Sequence, residues 1–261
     1  MATNNIALIT GASSGIGAVY ADRLSRIGYD LILVARNANK LKNIAEKIRN
    51  TSGKNVEVVI ADLSNKSDLL KVESLIKENS AINLLVNNAG FGAVTPLLQS
   101  NIDQMEQMIE VNVTALTRLS YAAAPVFMNR SNGTIINIAS IVAIGPEILN
   151  GVYGATKAYV LALTQSLQHE LGDKGLRIQA VLPGATATEF WDVAGMPYSN
   201  LPAGMVMKAD DLVDAALKGL ASGEVVTIPP LQDGEDWLQY ERARKSLSQK
   251  FANDTPGKRY A

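Results

Sequence analysis

Seven short apolar runs recur along this chain, separated by longer segments of helical character, and that alternation constrains the fold more than any other feature. The runs are NIALIT (5–10), DLILVA (30–35), VEVVIA (56–61), INLLVN (82–87), TIINIAS (134–140), LRIQAVL (176–182) and VVTIP (225–229). They are mostly apolar and do not follow a strict alternation, as expected of strands covered on both faces. Between them, a segment such as 155–171 places Val160, Leu163, Leu167 and Leu171 at helical spacing, forming one core-facing stripe. The pattern predicts an α/β fold, a doubly wound parallel sheet of about seven strands with helices on both faces. No repeat or linker splits the 261 residues, so one domain over 1–261 is expected. Two stretches break the rhythm. Residues 185–207, rich in Gly, Pro, Met and aromatics, predict a substrate loop, and the part from 233 onward predicts a helix over 235–251 with a polar tail.

Composition removes several function classes. Lys and Arg number 24 against 25 Asp and Glu, so bulk charge selects neither nucleic acid nor an acidic membrane surface. No cysteine is present, and the lone His169 near a predicted helix end is given no catalytic role. With no clustered His, Cys, Asp and Glu, no metal site is expected. The amino-terminal residues lack a basic leader pattern, and no apolar stretch approaches the roughly 20 residues of a membrane span. A cytoplasmic enzyme acting on a small molecule is the expectation.

The first apolar run leads into TGASSGIG (10–17), which opens a helical segment. Glycines at such a junction permit a tight turn, close approach of a ligand and close packing of helix on sheet, while the helix start offers free N–H groups to a pyrophosphate. The spacing is G-x-x-x-G-x-G. Past the second strand, the acid that commonly grips a free ribose 2′-hydroxyl is missing, and Arg36 stands one place later with Lys40 a turn beyond. A guanidinium suits a 2′-phosphate, so NADP(H) is expected over NAD(H). Asp62, beside Leu63 at the end of the third strand, has two roles open to it: meeting an adenine edge or capping the next helix.

YGATK (153–157) sets Tyr153 four residues before Lys157, on one helix face. Neither side chain is an effective acid or base near neutrality unaided. A nearby ammonium favours the phenolate, which would make Tyr153 a proton donor and acceptor that needs no histidine.

These islands complete a pattern with NNAG (87–90), Asn112 in VNV, Ser140 at the end of the fifth strand, and Pro183-Gly184 with Thr188 behind them. Together they resemble the short-chain dehydrogenase/reductase family over about 1–230. LVARN, NNAGFG, TIINIAS and VYGATKAYV look most like its bacterial reductases of broad or unassigned specificity. One departure is Ser14, where many NADP-preferring relatives carry a basic residue. The resemblance implies a Rossmann-type fold and cofactor contacts at Gly11, Ser13, Ser14, Gly15, Ile16, Gly17, Arg36, Asp62, Leu63, Asn88, Ala89, Gly90, Pro183, Gly184 and Thr188. It also implies that Tyr153 exchanges a proton with the reacting oxygen, that Ser140 holds that oxygen, and that Lys157 grips the nicotinamide ribose. Asn112 would hold a water that links Lys157 to solvent. A homodimer or homotetramer, packed through the helices carrying Asn112 and Tyr153, is implied as well.

The expected substrate walls are Phe91, Val142, Leu149, Phe190, Trp191 and Met196, all uncharged. They point to a small to medium apolar ketone or aldehyde. Two other readings are open: a reductase of 3-ketoacyl thioesters, and a nucleotide-binding regulator without catalysis.

Overall fold

The computed structural model describes residues 5–260. The expectation about the amino-terminal leader therefore falls partly outside the described residues, at 1–4. The described residues form two compact units, 5–229 and 230–260.

In the first unit the strands are β1 (Ile6–Thr10), β2 (Asp30–Ala35), β3 (Val56–Ile60), β4 (Ile82–Asn87), β5 (Gly133–Ile138), β6 (Leu176–Val181) and β7 (Val226–Thr227). They form one sheet in the order β3-β2-β1-β4-β5-β6-β7, and every pairing is parallel. The expected Rossmann-type architecture is the one observed. The helices between them are α1 (Gly15–Arg26), α2 (Ala38–Ser52), α3 (Lys66–Glu78), α4 (Ile102–Ile109), α5 (Leu116–Met128), α6 (Gly151–Leu171), α7 (Phe190–Ala194) and α8 (Ala209–Ala221).

Burial on both faces explains the unbroken apolar runs. Successive strand residues point oppositely, so Ala7, Ile9, Leu31 and Leu33 pack with Tyr20, Leu24, Leu41 and Leu212 of α1, α2 and α8. Leu8, Ile32, Val34 and Leu85 pack on the other side with Val72, Ile76, Leu119, Phe127 and Leu167 of α3, α5 and α6. In α6, Val160 and Leu167 are buried and Leu163 and Leu171 flank them, the stripe read from spacing. The helix begins earlier than the sequence pattern suggested, at Gly151, because the Asn150 side chain caps it.

The strand order reverses between β1 and β4, since chain passes one way from β1 to β2 and β3 and the other way through β4 to β7. A crevice at the carboxyl ends of the strands follows from that reversal, and it is where ligands bind in folds of this kind. Residues 185–207 are not wholly irregular. Met207 donates its N–H to Ala185 and accepts from Ala187, both at 2.9 Å, closing the loop at its base, and α7 lies inside it.

The second unit contains α9 (Gly234–Ser248), which starts at its Asp233 cap and ends three residues before the expected Phe251. Trp237 and Tyr240 stack on it, with ring centroids 5.2 Å apart. Among the described residues no helix is long and apolar enough to cross a membrane.

Candidate active site

The glycine turn is built by steric need. Gly11 and Gly15 both hold positive φ, at 65° and 54°, where a side chain is strained. A Cβ on Gly17 would lie 2.4 Å from the Gly11 carbonyl oxygen and 2.5 Å from Asn88 Nδ2. The third glycine therefore packs the helix against the loop. At the start of α1, Ser14 makes no side-chain cap, no acid occupies the first turn, and the first backbone bond runs from Ala18 N–H to Ser14. The amides ahead of Ala18 and the positive end of the helix are left for an anion. These features fit the pyrophosphate of a dinucleotide.

Neighbouring side chains hold this cradle. Thr10 Oγ1 accepts from Asn88 N–H and Ala89 N–H, each at 3.0 Å, and donates to Val86. Asn88 Nδ2 donates to Thr10 and Gly11 at 3.0 and 3.1 Å, so its amide nitrogen is spent on the loop backbone. Leu63 turns its side chain into the core, where it is buried, so a cofactor contact from it would have to come from its backbone. Ile16 also packs partly against the core. Thr188 comes within reach of Gly15, where an added Cβ would meet its methyl at 3.1 Å.

At the ribose end, Arg36 is 65 % exposed and sits 3.8 Å from Asp62. Asp62 accepts from the N–H and hydroxyl of Ser64 at 3.0 and 2.7 Å, while Asn65, not Asp62, caps α3. The loose ion pair leaves the guanidinium free to meet a phosphate. Lys40 instead pairs with Glu189 at 2.6 Å, joining the start of α2 to the loop ahead of α7.

Ser140, Tyr153 and Lys157 meet at the carboxyl end of β5, all buried. Ser140 is held by its own donation to the Pro183 carbonyl at 3.4 Å, and its hydroxyl favours the phenolate form of Tyr153. Burial pushes the Tyr153 phenol up to about 12, against the lowering effect of Ser140. Burial also pulls the Lys157 ammonium down to about 8. The lysine does not depress the phenol as its spacing suggested. Its Nζ donates to the Ile138 carbonyl at 2.9 Å and stands 5.8 Å from the centre of the Tyr153 ring, so desolvation dominates.

Asn112 lies in a π-helical turn, Glu110–Ala115, between α4 and α5, not on a regular helix. Such turns re-aim one side chain, often at functional sites. Its amide accepts from Phe91 N–H at 3.1 Å and donates to Phe91 carbonyl at 2.9 Å and Thr156 Oγ1 at 3.1 Å. Both amide protons are thus spent, Oδ1 keeps one lone pair, and the side chain clamps the segment after β4, where Gly90 has no room for a Cβ beside it.

Of the six wall residues expected from sequence, Phe91, Val142, Leu149 and Phe190 gather around Tyr153. Phe190 faces the tyrosine ring directly, at 5.7 Å between centroids. Trp191 does not line this cluster: it is buried behind Phe190, edge-on to it, with its indole N–H on the Thr186 carbonyl at 2.9 Å. Met196 is outside the cluster too, tied by its N–H to Trp191. Sequence reasoning missed Ala93, Met105, Met108 and Val152, which complete the apolar wall. The methionines lie three apart on α4, a helical spacing that was legible, but nothing in the sequence said which face of α4 meets α6. His169 is exposed.

Residues 5–196 match the family described as short chain dehydrogenase. A short-chain dehydrogenase from Sphingobium yanoikuyae, solved in complex with NADPH, is 45 % identical with a TM-score of 0.95, covering 98 % of this chain and 100 % of that one. A bulky-bulky ketone specific alcohol dehydrogenase from Comamonas testosteroni is 41 % identical with a TM-score of 0.91, covering 99 % of each chain. An oxidoreductase of Staphylococcus epidermidis is 38 % identical over 223 residues, which is 85 % of this chain and 94 % of the relative.

Proposed function

The chain belongs to the short-chain dehydrogenase family, and from that premise we propose that it is an NADP(H)-dependent carbonyl reductase acting on apolar ketones. The observation that carries the reading is the meeting of Ser140, Tyr153 and Lys157 beside the glycine cradle, under a wall of Phe91, Val142, Leu149 and Phe190. An enzyme of this family is an oxidoreductase.

The chemistry the bound dinucleotide supplies is a hydride to the carbonyl carbon. The chain's own residues handle the oxygen. Ser140 would turn its one hydroxyl proton from the Pro183 carbonyl to that oxygen and orient it, while the Val142 N–H, donating to Oγ, keeps the serine in place. Tyr153 donates its phenolic proton to the same oxygen. A phenol raised to about 12 is protonated at neutral pH, the state that reduction requires. Lys157, whose ammonium burial pulls down to about 8, would hold the nicotinamide ribose hydroxyls. Gly11, Ser13, Ser14, Gly15, Ile16 and Gly17 would hold the pyrophosphate, with Ala89, Gly90, Pro183, Gly184 and Thr188 along the rest of the cofactor. Asn88 and Asn112 serve by fixing the backbone there.

Arg36 and the absent acid favour the 2′-phosphate, and the NADPH-bound Sphingobium relative supports that choice. The name of the Comamonas enzyme extends the substrate expectation from small and medium ketones toward ketones with a large group on each side. Oxidation of NADPH with a panel of aryl alkyl and diaryl ketones tests the reading. Turnover is expected in the wild type and a loss of at least about 100-fold in Tyr153→Phe. Comparable kcat in the two proteins would remove Tyr153 as proton donor.

A further inference from the structure

The side-chain amide of Asn150 works in two directions at once. Its Oδ1 caps α6, accepting from Val152 N–H at 2.9 Å and Tyr153 N–H at 3.4 Å. Its Nδ2 donates to the Thr95 carbonyl at 2.6 Å, and its backbone N–H donates to the Ala93 carbonyl at 3.4 Å. The residue is buried. Between its two partners, Val94 donates its N–H to Ala194 at 3.2 Å, the last residue of α7. One amide therefore joins the start of the helix carrying Tyr153 and Lys157 to the segment after β4. Through Val94 it also reaches the loop carrying Phe190.

Capping alone does not account for this residue. A cap needs an acceptor, and Ser, Thr or Asp supply one as well as Asn does. The donation to Thr95 requires the amide nitrogen, and the two functions together need both ends of the group. Tyr153 is only three residues along the helix, so a shift at its first turn moves the phenol. The wall that the phenol faces, Ala93 and Phe190, lies on the two segments to which Asn150 is connected.

We infer that Asn150 is a positioning residue: it sets the register between the Tyr153 phenol and the apolar wall against which the carbonyl substrate rests. The inference rests on the carbonyl reductase reading above. Displacements of about 1 Å at a reacting centre cost on the order of 100-fold in rate, so a residue that fixes register affects kcat without touching substrate.

Asn150→Asp separates the two functions, because the carboxylate keeps the cap and replaces the donor to Thr95 with a second acceptor. In the full-length protein we expect a somewhat lower melting temperature than wild type, because a buried carboxylate oxygen then faces the Thr95 carbonyl. Its kcat for ketone reduction is expected to fall by about 10- to 100-fold, with KM for NADPH unchanged. Hydrogen exchange should quicken in the segment containing Val94 and Thr95 while the amides of Val152 and Tyr153 remain protected. Asn150→Ala loses the cap as well, and should add faster exchange at the start of α6. Unchanged exchange at 94–95 in Asn150→Asp overturns the inference, and so does a wild-type kcat in that variant. A wild-type protein that reduces no ketone in the panel defeats the functional reading. The exchange measurement, independent of turnover, then still decides whether Asn150 holds the two segments together.

Discussion

The ring of Phe190 stands 5.7 Å from that of Tyr153, centroid to centroid, and is tilted 45° to it. The two come from elements 37 positions apart, α7 and α6, and meet because the 185–207 loop is closed at its base. Gly92 completes the contact, since a Cβ there would lie 2.5 Å from the Phe190 ring tip. Phe190→Ala removes an apolar surface from the substrate side and leaves the glycine cradle untouched. We expect kcat/KM for apolar ketones to fall by about 10- to 100-fold, a loss of some 1–3 kcal/mol, with the dissociation constant for NADPH unchanged. Steady-state kinetics beside a cofactor titration by calorimetry distinguishes this from a general loss of fold, which would weaken both.

Gly17→Ala puts a methyl against the Gly11 carbonyl and the Asn88 amide, at separations that real side chains essentially never show. The contacts are largely backbone, so α1 must shift away from β1 or the loop must open. Destabilisation of about 1–3 kcal/mol is expected, with weaker cofactor binding. Chemical denaturation and calorimetry measure both. A variant as stable and as tightly binding as wild type would mean that this packing does not shape the cradle.

Arg36→Asp exchanges a guanidinium suited to a phosphate for an acid suited to ribose hydroxyls. The ratio of kcat/KM for NADPH to that for NADH should drop by at least about 10-fold, and Asp62 will not take over the role of the guanidinium. Retained preference for NADPH would assign the 2′-phosphate to Lys40, which would have to leave Glu189 to reach it.

Lys157 gives a pH dependence of stability with a definite sign. Its ammonium has a pKa of about 8 in the fold, against an ordinary value of 10.5. Below about pH 8 both states hold the proton and the fold carries the full cost of burying it. Between about 8 and 10.5 the unfolded chain binds a proton that the folded chain lacks, so stability contributed by this group rises with pH. The slope is at most about 1.4 kcal/mol per pH unit. Tyr153 acts oppositely but later: its phenol is raised from 10.0 to about 12, so its stabilising contribution is lost only as pH climbs through that range. Denaturation of wild type and Lys157→Met between pH 7.5 and 9.5 isolates the lysine. The wild type should gain on the variant as pH rises; parallel curves would show that the ammonium is not desolvated.

What the sequence determined by itself is what depends on local pattern. Unbroken apolar runs such as LILV can be satisfied only by burial on both sheet faces, and that led to the parallel, helix-covered sheet. Glycines at 11, 15 and 17 declared a turn without side chains, and the four-residue step from Tyr153 to Lys157 fixed their common helix face. What only the tertiary structure decided is where polar groups find partners. An amide carries the same donors and acceptors wherever it stands, so nothing local told that Asn88 would bind the Thr10–Gly11 backbone, or Asn112 the Phe91 backbone, or Asn150 the Thr95 carbonyl. Likewise Trp191 and Phe190 are adjacent and equally apolar, yet only one faces Tyr153. Those outcomes follow from strand order and loop closure, which bring together residues tens of positions apart. The phenol obeys the same division: spacing placed an ammonium nearby, but burial, a property of the assembled fold, sets its proton affinity.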